Sequence, residues 1–180
     1  MEADDAFNYG AIGVVIGHEM THGFDDQGRQ YDKDGNLKDG WTEEDAKNFE
    51  KRADVMVAFF DSIEVAPGVH ANGRMTLGEN IADHGGLQVS FQAFKKATAA
   101  PLEVKDGFTP EQRFFLAYAN VWANNTRPEA ILQLTKVDVH SLGKWRVDAA
   151  LPHIAAWNEA FGITEKDPMF VPVEERVSIW

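Results

Sequence analysis

Apolar residues recur at helical spacing through the first half of the chain. Over residues 7–24 they alternate with glycines, which is typical of a helix packed closely against its neighbours. Residues 42–63 also carry an apolar face, and Thr42 with Asp45 forms a capping-box signal at its start. A further helical pattern covers residues 76–97. These patterns predict three helices.

The second half shows the same periodicity with different start signals. Thr109 is a typical N-cap, and Pro110 stands at the first helical position, which predicts a helix over 109–125. Two shorter helices are expected over 128–135 and 153–162. We find no internal repeat and no convincing linker. The pattern predicts one mainly α-helical domain with little or no sheet.

Turn-rich stretches separate the predicted helices. Residues 25–40 and 64–75 combine glycine and asparagine with aspartate in the first stretch and proline in the second, as loops do. Within the first, residues 32–39 faintly resemble a calcium-binding loop. Their glycine stands at the fourth position, whereas an EF-hand needs it at the sixth, so we predict a polar turn.

The composition of the chain excludes some classes of partner and of metal site. The chain has 180 residues, 44% of them hydrophobic, which is enough for one sizeable core. Its net charge of -12 argues against nucleic acid and anionic membrane partners. Because the chain has no cysteine, a metal site must use histidine or carboxylate ligands.

The stretch "HEMTH" carries the clearest chemical signal. His18 and His22 are four residues apart, so on a helix both imidazoles project from one face and can bind one zinc ion. Glu19 lies beside the first histidine, where a general base can act on a water that zinc activates. The alternative is an ordinary helix with two hydrogen-bonded histidines.

A catalytic zinc needs a third protein ligand. The metzincin pattern would require glycine and histidine where the chain has Asp25 and Gly28, so that class is excluded. Glu43 and Glu44 have the spacing of a downstream ligand, but they fall in the first turn of a capped helix, where acidic residues are common. Glu79 is the better candidate.

The position of Glu79 gains support from its neighbour Asp83. The two carboxylates are four residues apart, so both can face the same site from one helix. Asp83 can then orient a zinc-binding histidine through the second ring nitrogen. Alone, this stretch would be an ordinary helix face.

Four long motifs together resemble the neprilysin family of zinc endopeptidases, including its bacterial oligopeptidases. They are "NYGAIGVVIGHEMTHGFDD", "TLGENIADHGG", "VWANNTRPE" and "DVHSLGKWR". The resemblance runs from residue 8 almost to Trp180. It implies a thermolysin-like (gluzincin) catalytic domain over residues 1–180. It also implies that His18, His22 and Glu79 hold one zinc ion, with Glu19 as general base.

The resemblance implies further roles around the metal. Asp83 and Asp25 match the aspartates that hydrogen-bond the zinc histidines. His140 matches the histidine that stabilises the tetrahedral oxyanion, and Asp138 orients it. Arg146 matches the arginine that binds a substrate backbone carbonyl. Without the resemblance, His140 reads equally well as a loop histidine.

Apolar residues near the motifs resemble the walls of the pocket that takes the side chain after the scissile bond. They are Val14, Val15, Val121 and Trp122. As helical apolar residues they also suit a plain core, and both interpretations remain open. The other histidines match no family role, so we expect surface or packing positions for His70, His84 and His153.

Two family features have no counterpart in this sequence: a substrate-pairing edge strand and a large N-terminal helical lobe. We therefore expect this chain to be the C-terminal part of a longer enzyme. The ending "RVSIW" lacks a family cysteine that many bacterial members also lack. We expect an exported or envelope-associated bacterial parent, with a cytoplasmic one as the alternative.

Two functions follow as hypotheses. The first is a zinc endopeptidase domain that cuts oligopeptides before an apolar residue. The second is a catalytically incomplete zinc-binding module, which docks on the missing lobe or self-associates. Neither involves nucleic acid, and this part of the chain is expected to make no membrane contact.

Overall fold

A computed structural model describes residues 4–98 and 103–179, so Trp180 lies outside the described part.

The N-terminal helical segment carries the "HEMTH" motif. The segment runs through α1 (Asp5–Asn8), a π-helical turn (Tyr9–Gly13), α2 (Val14–Thr21) and a 3-10 turn (His22–Phe24). The sequence predicted this helix, but not its π-helical turn.

The next helix, α3 (Glu43–Asp61), begins as the sequence predicts. The hydroxyl of Thr42 accepts a hydrogen bond from the backbone N–H of Asp45. The segment over residues 32–39 forms the expected polar turn, in which Asp32 accepts hydrogen bonds from the backbone N–H groups of Asp34 and Asn36.

A small hairpin follows where we expected only a loop. β1 (Glu64–Ala66) pairs antiparallel with β2 (Val69–His70). The prediction of a loop over 64–75 was therefore wrong at its start. Gly68 supplies the positive φ of 72° that the turn requires, and the short length of the strands hides their alternation in the sequence.

Three further helices follow the hairpin. They are α4 (Leu77–Ala97), α5 (Pro110–Val121) and α6 (Pro128–Val137). A full capping box joins Thr109 and Gln112 at the start of α5. This helix ends four residues before the predicted position 125, at a stretch whose asparagines favour non-helical backbone.

The C-terminal part consists of short elements. They are α7 (Gly143–Asp148), a 3-10 turn (Leu151–His153) and α8 (Ala155–Phe161). Gly162 ends α8 in the left-handed conformation, as its position predicted. The helix α7 was not predicted, because six residues are too few to show a period.

Helices α2 and α4 cross at unusually short range, and this crossing positions the site. A Cβ atom on Gly86 would lie 2.7 Å from the backbone N of His18 and from the carbonyl O of Val14. Only glycine permits such an approach.

Two clusters of buried apolar side chains pack on either side of α4, one with α5 and α8 and the other with α3. In the described part of the chain, no helix has the length and apolar character needed to cross a membrane.

Candidate functional site

Three side chains from two helices converge at the crossing of α2 and α4. The Nε2 atoms of His18 and His22 lie 3.1 Å apart. Glu79 reaches them from the first turn of α4, with Oε2 3.2 Å from Nε2 of His18 and Oε1 3.6 Å from Nε2 of His22. Within residues 4–98 and 103–179, only this trio gathers potential metal-binding atoms within 4.8 Å of one another.

The cluster fits a divalent metal ion. Both histidines turn Nε2 toward the shared point, and their other ring nitrogens are already hydrogen-bonded to carboxylates. Oε2 of Glu79 is buried, and apart from its 3.2 Å contact with Nε2 of His18 it has no hydrogen-bond partner among the described residues, although a carboxylate oxygen can accept more than one. Two imidazoles and one carboxylate are the donor set of many catalytic zinc sites. The residues present therefore suit zinc.

Carboxylates hold both histidines in place. Nδ1 of His18 lies 2.8 Å from Oδ1 of Asp83, and Nδ1 of His22 lies 2.7 Å from Oδ2 of Asp25. Asp25 is itself fixed, because its Oδ1 accepts hydrogen bonds from the backbone N–H groups of Gln27 and Gly28. These contacts orient Nε2 of each ring toward the cluster.

Charge around the cluster shifts two pKa values in opposite directions. Burial alone would lower the pKa of His18, but its hydrogen bonds to Asp83 and Glu79 raise it to about 9. Burial would raise the pKa of Glu79, but the hydrogen bond with His18 and the charge of His140 hold it below its usual value. In the absence of metal, a cationic His18 therefore faces an ionised Glu79.

His140 reaches the cluster from the loop between α6 and α7. Its Nε2 lies 3.4 Å from Oε2 of Glu79, and its Nδ1 lies 2.8 Å from Oδ1 of Asp138. Asp138 also accepts the backbone N–H of His140, and these two hydrogen bonds lower the pKa of Asp138. The imidazole is half exposed, so it can meet a molecule entering from solvent.

Arg146 lies beneath the cluster, where Asp83 binds it. Its side chain is only 6% exposed, and its guanidinium carbon stands 3.8 Å from the ring centroid of Trp122. The hydroxyl of Tyr118 donates to the carbonyl of Arg146 at 2.9 Å. No local pattern predicts this role of Tyr118, because the contact joins residues 28 positions apart in the chain.

The remaining predicted site residues occupy varied positions. Glu19 is exposed on α2 between the two histidines. Val14 is buried in the core shared with α5, whereas Val15 is half-buried and Val121 is exposed. The proposed pocket wall thus stays a prediction.

The histidines without a predicted role lie away from the cluster. His84 and His153 are buried in the packing, and His70 is exposed on β2.

Two side chains near the cluster were not predicted from the sequence. Asn80 follows Glu79 on α4, and its Oδ1 accepts a hydrogen bond from the hydroxyl of Ser141 at 2.7 Å.

Comparison with known proteins gives a consistent picture. The model of peptidase family M13 matches residues 1–177. Human neprilysin is 40% identical over 99% of this chain, which corresponds to 24% of neprilysin. Rat endothelin-converting enzyme 1 is 41% identical over 92% of this chain and 22% of its own length. The chain therefore spans about a quarter of the length of these relatives.

Solved structures share the fold. A crystal structure of the Mycobacterium tuberculosis zinc metalloprotease ZMP1 with an inhibitor superposes with a TM-score of 0.95 at 38% identity. The match covers 99% of this chain and 28% of that one. The crystal structure of PepO from Lactobacillus rhamnosis gives a TM-score of 0.88 at 34% identity, over 100% of this chain and 27% of PepO.

Proposed function

Because this chain belongs to peptidase family M13, we propose that it is a zinc-dependent endopeptidase domain that hydrolyses short peptides before an apolar residue. One observation carries the proposal. His18, His22 and Glu79 direct three ligand atoms at one point, and carboxylates hold both imidazoles from behind. When bound there, zinc would polarise the scissile carbonyl and make a water molecule acidic enough to attack it at neutral pH.

The chain's own residues supply the proton transfers. Glu19 follows His18 on α2 and is exposed, so it can reach a water molecule that approaches the cluster from solvent. Its carboxylate takes the proton from that water and passes it to the departing amine. Because Glu19 has a place in this reaction, the proposal explains why an acidic residue stands exposed between two metal-binding histidines.

His140 and Arg146 act on the substrate and on the transition state. The imidazole of His140 lies beside Glu79 and is oriented by Asp138, so it can donate a hydrogen bond to the oxyanion as negative charge develops. The guanidinium of Arg146 is fixed by Asp83, and its Nη2 lies 3.8 Å from Oε2 of Glu79. From there it can donate to a peptide carbonyl of the substrate.

Hydrolysis of a fluorogenic peptide tests the proposal directly. Glu19→Gln keeps the size of the side chain but removes the base, so we expect kcat to fall by roughly 100-fold or more while zinc content stays the same. Glu43→Gln, on the exposed first turn of α3, is the matched control and should keep full activity. Equal rates in the wild type and Glu19→Gln would refute the proposed role of Glu19.

A second candidate function rests on an exposed apolar stripe along the N-terminal helical segment. Its four side chains are spaced four residues apart and are 55–65% exposed: Ile12, Ile16, Met20 and Phe24. A continuous apolar stripe in water favours association. The second candidate is thus a zinc-binding module that hydrolyses nothing alone and self-associates through this stripe.

Light scattering after size exclusion separates the two candidates. The module predicts a zinc-loaded oligomer without peptidase activity, which Ile16→Glu converts to a monomer because the charge interrupts the stripe. The endopeptidase predicts a zinc-loaded chain that cleaves peptides in its monomeric state.

A further inference from the structure

We propose that Asn80 and Ser141 are positioning residues, whose hydrogen bond holds His140 beside the metal ligands. The inference rests on the proposed role of His140. Asn80 directly follows Glu79 on α4, and Ser141 directly follows His140 in the loop before α7. The Ser141 hydroxyl donates to Oδ1 of Asn80 at 2.7 Å, across 61 residues of sequence. This hydrogen bond thus links the residue after the proposed metal ligand Glu79 to the residue after His140.

The Asn80 side chain is itself firmly fixed. The residue is 3% exposed, and its Nδ2 donates to the hydroxyl of Thr76 at 2.9 Å. The Thr76 hydroxyl donates in turn to the carbonyl of Asn72. With the threonine proton committed there, the amide must present nitrogen to Thr76 and oxygen to Ser141. Asn80 is therefore a rigid, correctly oriented acceptor.

The loop that carries His140 has few other attachments. Among the described residues, Val139, His140 and Ser141 make no backbone–backbone hydrogen bond. Asp138 restrains the imidazole, but it belongs to the same loop. A cavity of about 20 Å³ lies behind the loop, lined in part by Thr135 and Leu142, so packing does not fill the space there. The bond to Asn80 is thus a main link between this loop and α4.

Loss of this bond should loosen the loop without disturbing the metal ligands. Ser141→Ala leaves the buried oxygen of Asn80 without its partner, and it frees His140 to move relative to Glu79. A displacement of about 1 Å at a group that acts on the transition state can lower a rate by up to about 100-fold. We expect a smaller effect here, because Asp138 still orients the ring.

Amide hydrogen exchange of the metal-free chain is the first test. We expect the His140 amide to exchange about fivefold faster in Ser141→Ala than in the wild type, while Ser141→Thr restores the slow rate. The control is Ser62→Ala, which removes an exposed hydroxyl that donates to the carbonyl of Phe59. Equal exchange rates in Ser141→Ala and Ser62→Ala would overturn the proposal, whether or not the chain is an enzyme.

Peptide hydrolysis and zinc content give the second test. In Ser141→Ala we expect zinc content to stay at the wild-type level, kcat to fall about tenfold and KM to change less than about twofold. The double variant with Asn80→Ala should lose little more activity than either single variant, because the two residues act through one bond. Faster exchange with an unchanged kcat would contradict positioning. A wild type without activity refutes the proposed function instead, and the exchange rates then still decide whether Asn80 anchors the loop.

Discussion

Arg146 donates two hydrogen bonds to Asp83, from Nε to Oδ2 and from Nη2 to Oδ1, each 2.7 Å long. The same carboxylate lies 2.8 Å from Nδ1 of His18. Both members of the pair are almost fully buried. The buried guanidinium of Arg146 is thus connected through Asp83 to His18, a proposed metal ligand. The same ion pair therefore contributes to the stability of the domain and positions a ligand of the site.

Removal of the cation should destabilise the fold. Arg146→Met leaves the carboxylate of Asp83 buried without its main partner, and loss of one member of a buried pair typically costs about 3–5 kcal/mol. Urea unfolding measures the change. Lys144→Met, on the same helix, is the control, because its surface contact with Asp148 at 4.0 Å contributes less than about 1 kcal/mol. A similar small loss in both variants would contradict the account of the buried pair.

The glycine contact between α2 and α4 should control metal binding. A methyl group in Gly86→Ala would lie 2.7 Å from the backbone of His18, so the helices must separate and move Glu79 away from the histidines. We expect zinc affinity to fall at least about tenfold. Gly23→Ala is the control, since a Cβ there meets nothing within 4 Å. Zinc titration against a competing chelator provides the measurement, and equal affinities would show that the crossing is not needed.

Zinc binding should release protons at neutral pH. Hydrogen bonds to Asp83 and Glu79 overcome burial and raise the pKa of His18 to about 9, so the metal-free residue is protonated at pH 7. Zinc binds only the neutral imidazole. Affinity should therefore rise with pH by up to about tenfold per unit until pH 9. Calorimetry in two buffers of different ionisation enthalpy detects the proton. Identical heats in the two buffers would contradict a protonated His18.

A buried histidine pair should make the fold sensitive to acid. Burial lowers the pKa of both His84 and His153 to about 4, and for His153 the charges of His84 and Arg176 act in the same direction. Such groups are neutral when folded but take up protons when unfolded, so stability is full above pH 6.5 and is lost as pH falls toward 4. At pH 5 the loss is roughly 2 kcal/mol per histidine.

A variant isolates this effect from other titrations. We expect His153→Gln to lose less stability than the wild type between pH 7 and pH 5, as measured by urea unfolding. His70→Gln is the control, because that histidine is exposed on the hairpin. The raised pKa of His18 adds stability as pH falls through 6.5, but this contribution is the same in the wild type and in both variants, so it cancels in the comparison. An unchanged acid sensitivity in His153→Gln would refute the explanation.

The sequence predicted those parts of the molecule that depend on local spacing. Residues four apart on one helix gave both the His18 and His22 pair and the alignment of Glu79 with Asp83. Capping residues Thr42 and Thr109 marked true helix starts, because their hydrogen bonds reach only three residues ahead. These features of the fold and of the site follow from short-range geometry.

Contacts between distant residues could not be predicted in this way. The hydrogen bond between Ser141 and Asn80 and the bond from Tyr118 to the carbonyl of Arg146 depend on how whole helices pack. The hairpin and α7 were also missed, because elements of two to six residues show no clear period. The sequence therefore did not predict the long-range contacts that hold the predicted site residues in place.

The zinc content of the purified chain tests the central claim most directly, with Glu79→Ala and Glu44→Ala measured in parallel. Glu44 had the spacing of an alternative ligand, yet it lies on the exposed first turn of α3, apart from the cluster. We predict about one zinc ion per chain in the wild type and in Glu44→Ala, and a large loss in Glu79→Ala. Full zinc content in Glu79→Ala, or a wild type that binds none at neutral pH, would contradict the account.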